Sequence, residues 1–252
     1  MTARRPGRLY AGTSGFAYPS WSPAFYPPGT KSDGLLRFYS GRFRAVELNN
    51  TFYQRPNETA VRAWLAATPP EFRFSVKGQR GAAVRALAVD APGSVAWLVE
   101  SIRPFGDRLG TILFRVPGDI PRDDGRLATL LEAWPTDVPL TMEFQDASWL
   151  VDEVLDPLRD RGVVLCATDL DEQPGPPSLF LTGPFLYLRL RQQAYAEEEL
   201  HAWAARVAPF LSAGHDAYVF FKHDEAGDAP RLATRFTRDV EAVLATAAAA
   251  GP

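Results

Sequence analysis

Leu140-Thr141-Met142-Glu143-Phe144 and Val163-Val164-Leu165-Cys166-Ala167-Thr168 are two short apolar runs, and residues 150–161 between them carry a helical pattern. Strand, helix, strand in that order makes a β-α-β unit, whose parallel strands are covered on both faces and therefore read as nearly continuous apolar runs. The alternation extends both ways. Upstream lie Leu9-Tyr10-Ala11-Gly12-Thr13, Ala45-Val46-Glu47-Leu48-Asn49, Phe72-Arg73-Phe74-Ser75-Val76-Lys77 and Gly110-Thr111-Ile112-Leu113-Phe114. Downstream lie Phe185-Leu186-Tyr187-Leu188-Arg189 and Ala217-Tyr218-Val219-Phe220-Phe221. Helices are expected at 32–43, 58–67 with Asn57 as N-cap, 93–104, 125–134, 197–211 and 229–248. Eight strands in 252 residues, with no linker long enough to divide them, predict a single-domain (β/α)8 TIM-like barrel over residues 1–252. An open doubly wound sheet shares the alternation and is the rival fold. The Pro- and Gly-dense stretches 19–29 and 173–184 read as excursions from the barrel.

Composition narrows the partners. Hydrophobic residues at 46% and charged residues at 23% are the balance of a globular chain with a sizeable core. A formal net charge of -3 offers no electrostatic footprint for nucleic acid or an anionic membrane. The one cysteine, Cys166, excludes an intramolecular disulfide and fits a reducing compartment. The first residues carry arginines but no apolar stretch behind them, and no apolar run approaches the ~18 residues of a membrane span. A cytoplasmic protein with a small-molecule ligand is expected. Lysine occurs only at Lys31, Lys77 and Lys222, and histidine only at His201, His215 and His223. In so arginine-rich a chain, a lysine at a strand end invites a role that arginine, always charged, cannot fill.

Barrels of this kind place their chemistry at the C-terminal ends of the strands. Those positions hold Thr13 and Ser14, then Glu47, Asn49 and Thr51, then Lys77, Arg115, Glu143 and Gln145. They continue with Asp169, Arg189, Arg191, Lys222, His223 and Asp224. Glu47 and Glu143 sit inside apolar strands, where a carboxylate needs a partner or a function to offset its desolvation. One reading makes Glu47, Glu143 and Lys77 general acids and bases; the other makes them an ion-pair network. Arg189 and Arg191, with Asn49, Tyr53, Trp149 and Asp224, are candidate substrate contacts, the arginines favouring an anionic ligand. Asp169, His223 and Asp224 with a glutamate offer a divalent-metal alternative, although no histidine or cysteine spacing supports it. The segment Gly12-Thr13-Ser14-Gly15 can cradle an anion but matches no phosphate-loop pattern. Most aromatic residues after the first strand are expected in the core.

The run Gly12-Thr13-Ser14-Gly15-Phe16, with Tyr18, Trp21 and Phe25-Tyr26-Pro27, resembles the opening of the YecE-like proteins, the domain-of-unknown-function 72 (DUF72) family. So do Val46-Glu47-Leu48-Asn49 with Thr51-Phe52-Tyr53 and Pro56, the run Phe72 to Lys77, Glu143-Phe144 with Ser148-Trp149, Asp169, Tyr187-Leu188-Arg189-Leu190, and Phe221 with Asp224. The resemblance implies a TIM-like barrel and no assigned reaction. The strand ends depart from the family pattern. Gly78-Gln79 replaces Thr-His, Arg115 replaces Gln, Gln145 replaces Arg, Arg191-Gln192 replaces His-Gly, and Lys222-His223 replaces Asn-Asn. The sequence therefore predicts a YecE-like barrel, acting on a small anionic or polyhydroxylated molecule by acid-base chemistry. A metal-dependent hydrolase or isomerase and a non-enzymatic scaffold are the alternatives.

Overall fold

A computed structural model of the chain describes residues 5–250. The strands are β1 (Leu9–Thr13), β2 (Ala45–Leu48), β3 (Arg73–Lys77), β4 (Leu109–Val116), β5 (Leu140–Phe144), β6 (Val164–Asp169), β7 (Phe185–Leu190) and β8 (Asp216–Phe221). They follow one another in the order β1-β8-β7-β6-β5-β4-β3-β2, the succession of a TIM-like barrel. Every strand falls within two residues of its expected place at the start, because unbroken apolar runs leave little choice of conformation. The helices are α1 (Ser32–Ser40), α2 (Glu58–Ala66), α3 (Arg80–Ala88), α4 (Ala91–Glu100), α5 (Asp124–Ala133), α6 (Asp152–Asp160), α7 (Glu197–Ser212) and α8 (Asp228–Ala250). Asn57 caps α2 as expected, its side chain accepting from the Ala60 amide at 2.8 Å. No described helix is long and apolar enough to cross a membrane. The reading of the first residues as lacking a leader falls partly on residues 1–4, outside the described residues.

Two compact units can be described. The first contains the chain up to Val46, Ala167–Leu179 and the chain from Phe185 onward. Here β1, β8 and β7 are parallel, with Tyr10 opposite Tyr218 and Tyr187 opposite Tyr218. The Tyr10 and Tyr218 rings stack at 4.6 Å, and Phe185 meets Tyr218 edge-on at 5.0 Å. The long segment after β1 forms a second aromatic cluster: Trp21 and Tyr26 are fully buried, and Phe25 packs on Phe38 and Phe43.

The Gly12–Gly15 stretch has a packing role that explains its residue types. A Cβ on Gly12 would lie 2.2 Å from the Ala45 carbonyl oxygen and 2.7 Å from the Tyr39 hydroxyl. That hydroxyl accepts from the Thr13 amide at 2.8 Å and donates to Ala45 O at 3.2 Å. The Ser14 amide continues the ladder to Phe221 O at 2.8 Å. With the Thr13 and Ser14 amides engaged in this way, they are not an anion cradle. Gly15 adopts φ 89°, and the Tyr18 ring lies where its Cβ would stand.

The second unit comprises Glu47–Cys166 and Phe180–Pro184, with β3, β4 and β5 in parallel register and Arg115 opposite Glu143. One connection differs from expectation. The segment after β3 holds α3, where Gly78 and Gly81 read as loop; Ala82, Ala83, Ala86 and Leu87 form its buried face and Gln79 caps it, accepting from Ala82 N at 2.8 Å. The connection from β6 to β7 has no helix, in keeping with the reading of 173–184 as an excursion. Its Thr182 stands in for a strand within the second unit: Oγ1 donates to Val163 O and accepts from Leu165 N, both at 2.7 Å. Thr182→Val should therefore cost about 1–3 kcal/mol, because it strips a buried amide and carbonyl of their partner. A thermal-denaturation midpoint equal to that of the parent chain would contradict this role.

Candidate functional site

In the second unit three ionisable side chains are withdrawn from water at strand ends. Glu47 on β2 is 0% exposed, Glu143 on β5 is 3% exposed and Lys77 on β3 is 9% exposed. The ends of β2 and β3 are tied by Thr51, in the turn after β2. Its Oγ1 lies 2.7 Å from both Leu48 O and Lys77 O, one proton serving both. The Lys77 ammonium sits 4.3 Å from the centroid of the Phe52 ring, a cation-π contact from the same turn. Glu143 has a cationic neighbour, Arg115 Nε, at 3.4 Å. Arg115 is its partner in register on β4, so strand pairing fixes this contact. Below them the Thr111 and Thr141 hydroxyls pair at 2.9 Å in the buried interior.

Asn49 is half-buried, and its Oδ1 is shielded from water without a hydrogen-bond partner among the described residues. Tyr53 is 81% exposed and meets Phe52 edge-on at 5.4 Å. Both aromatic rings line a cavity of about 440 Å³ together with Gln79, Arg80, Pro117 and Asp119. Trp149, a candidate contact by sequence, is fully buried, stacked on Phe144 at 4.8 Å, with its indole N–H directed to Ile120 O at 3.4 Å. Its position is that of a core ring.

The first unit assembles a different constellation. Asp169, at the end of β6, is 1% exposed, and its Oδ2 accepts from the Tyr195 hydroxyl at 2.9 Å, Gln192 Nε2 at 3.1 Å and Trp203 Nε1 at 3.2 Å. Burial above all, with the carboxylate beside it, pushes the Tyr195 phenol above its usual 10.0, so it stays a donor. The Arg191 amide donates to Asp169 O at 3.0 Å. Arg189 is buried on β7, opposite Phe220. The Asp224 carboxylate is engaged by the start of α8, accepting from the amides of Gly227, Asp228 and Ala229 at 2.6, 2.9 and 2.7 Å. Its own carbonyl takes the Trp21 indole N–H at 2.6 Å.

Sequence reasoning missed Gln192, Tyr195 and Trp203. The polar run Arg191 to Tyr195 directly after β7 was the available signal, whereas Trp203 comes from α7 and looks like any core tryptophan. The metal alternative finds no geometric support. Among the described residues no group of three or more His, Cys, Asp or Glu side chains is arranged to hold an ion. The Asp169 Oδ2 and both Asp224 oxygens already have protein donors.

His223 stacks on Tyr18 with centroids 4.9 Å apart and planes 2° from parallel. Burial, then the charge of Arg191, holds the imidazole below its usual 6.5 against the opposing pull of Glu225 and Asp224. The unfolded chain thus takes up a proton near pH 6.5 that the folded chain refuses. This contribution to stability is full above 6.5 and is lost as pH falls through that value toward the folded-state pKa. Urea midpoints at pH 7.5 and 5.5 should therefore differ less in His223→Phe than in the parent chain. Equal differences would show that this ring does not titrate in the stated direction.

The comparisons with known proteins agree with the topology. The family described as Protein of unknown function DUF72 matches residues 10–251. The UPF0759 protein YunF of Bacillus subtilis is 23% identical, over 88% of this chain and 90% of its own. The solved structure of a DUF72 family protein from Thermotoga maritima is similar with a TM-score of 0.76 at 27% identity, covering 93% of this chain and 99% of that one. One from Enterococcus faecalis gives 0.75 at 18% identity, covering 93% and 95%.

Proposed function

Because the chain belongs to the DUF72 family, whose description states no activity, we propose its function from its own geometry: an enzyme that acts on a small anionic or polyhydroxylated molecule by general acid-base catalysis with Glu47, Lys77 and Glu143. The observation that carries this reading is the withdrawal of two carboxylates and one amine from water on β2, β3 and β5 of one unit. Burying an ionisable group costs several kcal/mol even when it is paired, and apolar residues would fill the same space at lower cost. The unpartnered Asn49 Oδ1 supports a ligand, since a shielded acceptor without a donor costs about 1–3 kcal/mol until something supplies one.

The neighbours of the three groups differ, and this divides the work. Glu143 has the Arg115 guanidinium beside it, suiting it to hold negative charge next to the substrate. Lys77 lies against the Phe52 ring, a setting in which its amine can deliver or take up a proton next to the substrate. Glu47, fully enclosed, supplies the second carboxylate. The test is an NMR-monitored incubation of the full chain with sugars, sugar phosphates and hydroxy acids. Turnover of at least one compound is expected, lost on Glu47→Gln. Absence of turnover and binding across the panel, with Glu47→Gln merely destabilised, would favour the scaffold reading instead.

A further inference from the structure

At the ends of β7 and β8 the first unit holds a cavity of about 290 Å³, walled by Gln192, Tyr195, Phe221, Lys222, His223 and Asp224. Its two carboxylates are already engaged. Asp224 is engaged by three backbone amides, and Asp228, also on the wall, is bridged to Arg231 at 2.9 Å. Lys222, by contrast, makes no ion pair and no side-chain hydrogen bond among the described residues. Beside it, His223 Nδ1 is shielded from water without a hydrogen-bond partner, and the stack on Tyr18 fixes the plane of the ring. The cation on the wall that has no ion pair is thus Lys222, with a ring nitrogen next to it in want of a partner.

A third group adds selectivity. Gln192 gives its Nε2 to Asp169, which orients the amide and leaves Oε1 as an acceptor with no donor among the described residues. Tyr195, held by the same carboxylate, accepts from the Gln192 backbone amide at 3.1 Å and so braces this turn. We infer that this cavity binds a small hydroxylated anion, with Lys222 and His223 holding the anionic group and Gln192 Oε1 accepting from a hydroxyl. Asp169 is a positioning residue here: it touches no ligand but sets the orientation of Gln192 and Tyr195. The volume lies at the small end of ligand cavities, which fits a molecule of a few carbons. The inference rests on the first unit alone and does not depend on catalysis by Glu47, Lys77 and Glu143.

The test titrates the 15N-labelled full chain with glycerol 3-phosphate, inorganic phosphate and glycerol, following the imidazole signals of His201, His215 and His223. His223→Phe assigns the third. Glycerol 3-phosphate should shift the His223 signals saturably and leave the other two histidines in place. Inorganic phosphate should bind about tenfold more weakly, glycerol should not bind, and Lys222→Met should weaken glycerol 3-phosphate binding about tenfold or more. Equal binding of inorganic phosphate would overturn the role given to Gln192, and equal binding of glycerol would overturn the anionic class. If no probe moves His223, or Lys222→Met binds unchanged, the site itself is overturned. Turnover by the acid-base group is read separately through Glu47→Gln, so the two proposals fail independently.

Discussion

Replacing Gly12 by alanine is expected to destabilise the protein by about 3 kcal/mol or more, among the largest effects of any single methyl group in the chain. The added carbon would stand 2.2 Å from the Ala45 carbonyl oxygen and 2.7 Å from the Tyr39 hydroxyl, well inside contact distance. Relief requires moving backbone, because the nearer obstacle is a carbonyl of the next strand. It also displaces a hydroxyl that serves the Thr13 amide and the Ala45 carbonyl. For a chain of this length each kcal/mol lowers the melting temperature by roughly 2–4 °C, so a drop of roughly 6–12 °C or more is expected. Calorimetry on Gly12→Ala reads it directly. A melting temperature within ~2 °C of the parent would show that β1 and the Ala45 segment are not packed as described.

The second large effect is on turnover. Lys77→Met is expected to lower kcat/KM by about 10²–10⁴-fold, the span that positioned proton transfer contributes. Methionine keeps most of the length and apolar stem of lysine, so contact with the Phe52 ring persists while the amine is removed. Lys77→Arg should not restore the rate, because guanidinium keeps its proton throughout the accessible pH range. Rescue by arginine would reduce Lys77 to a fixed positive charge. Both variants can be read on whichever panel compound the parent chain turns over.

Much of the fold was legible because its signals are local. The apolar runs that became β1 to β8 are bounded by polar residues, and Asn57 announced the start of α2 through its side-chain cap. Between β3 and β4 the sequence marks the helix at 93–104 but not α3, because Gly78 and Gly81 are loop residues by propensity, while the buried face Ala82, Ala83, Ala86, Leu87 that stabilises α3 is a tertiary effect. The absence of a helix between β6 and β7 agrees with the proline and glycine of residues 173–184, whereas the contact of Thr182 with Leu165 on β6 lies 17 residues away in sequence.

The site was less legible than the scaffold. Burial of Glu47 and Glu143 follows from their place inside strands, but the Glu143 to Arg115 contact needs the β4–β5 register. Trp149 and Asp224 carried rim-like sequence positions, yet the indole fills the core beside Phe144 and the carboxylate holds the first amides of α8. The grip of Tyr195, Gln192 and Trp203 on Asp169 depends on contacts spanning up to 34 residues, beyond any pattern of spacing.

Whether the three enclosed ionisable groups act as one catalytic unit is decided by a mutant cycle. The quantity is kcat/KM for Glu47→Gln, Lys77→Met and Glu143→Gln, singly and combined. Groups that act together predict that each single change costs about 10²–10⁴-fold and that the triple change costs little more than the worst single one. Undiminished turnover in all three single variants, or losses that simply multiply, would contradict it.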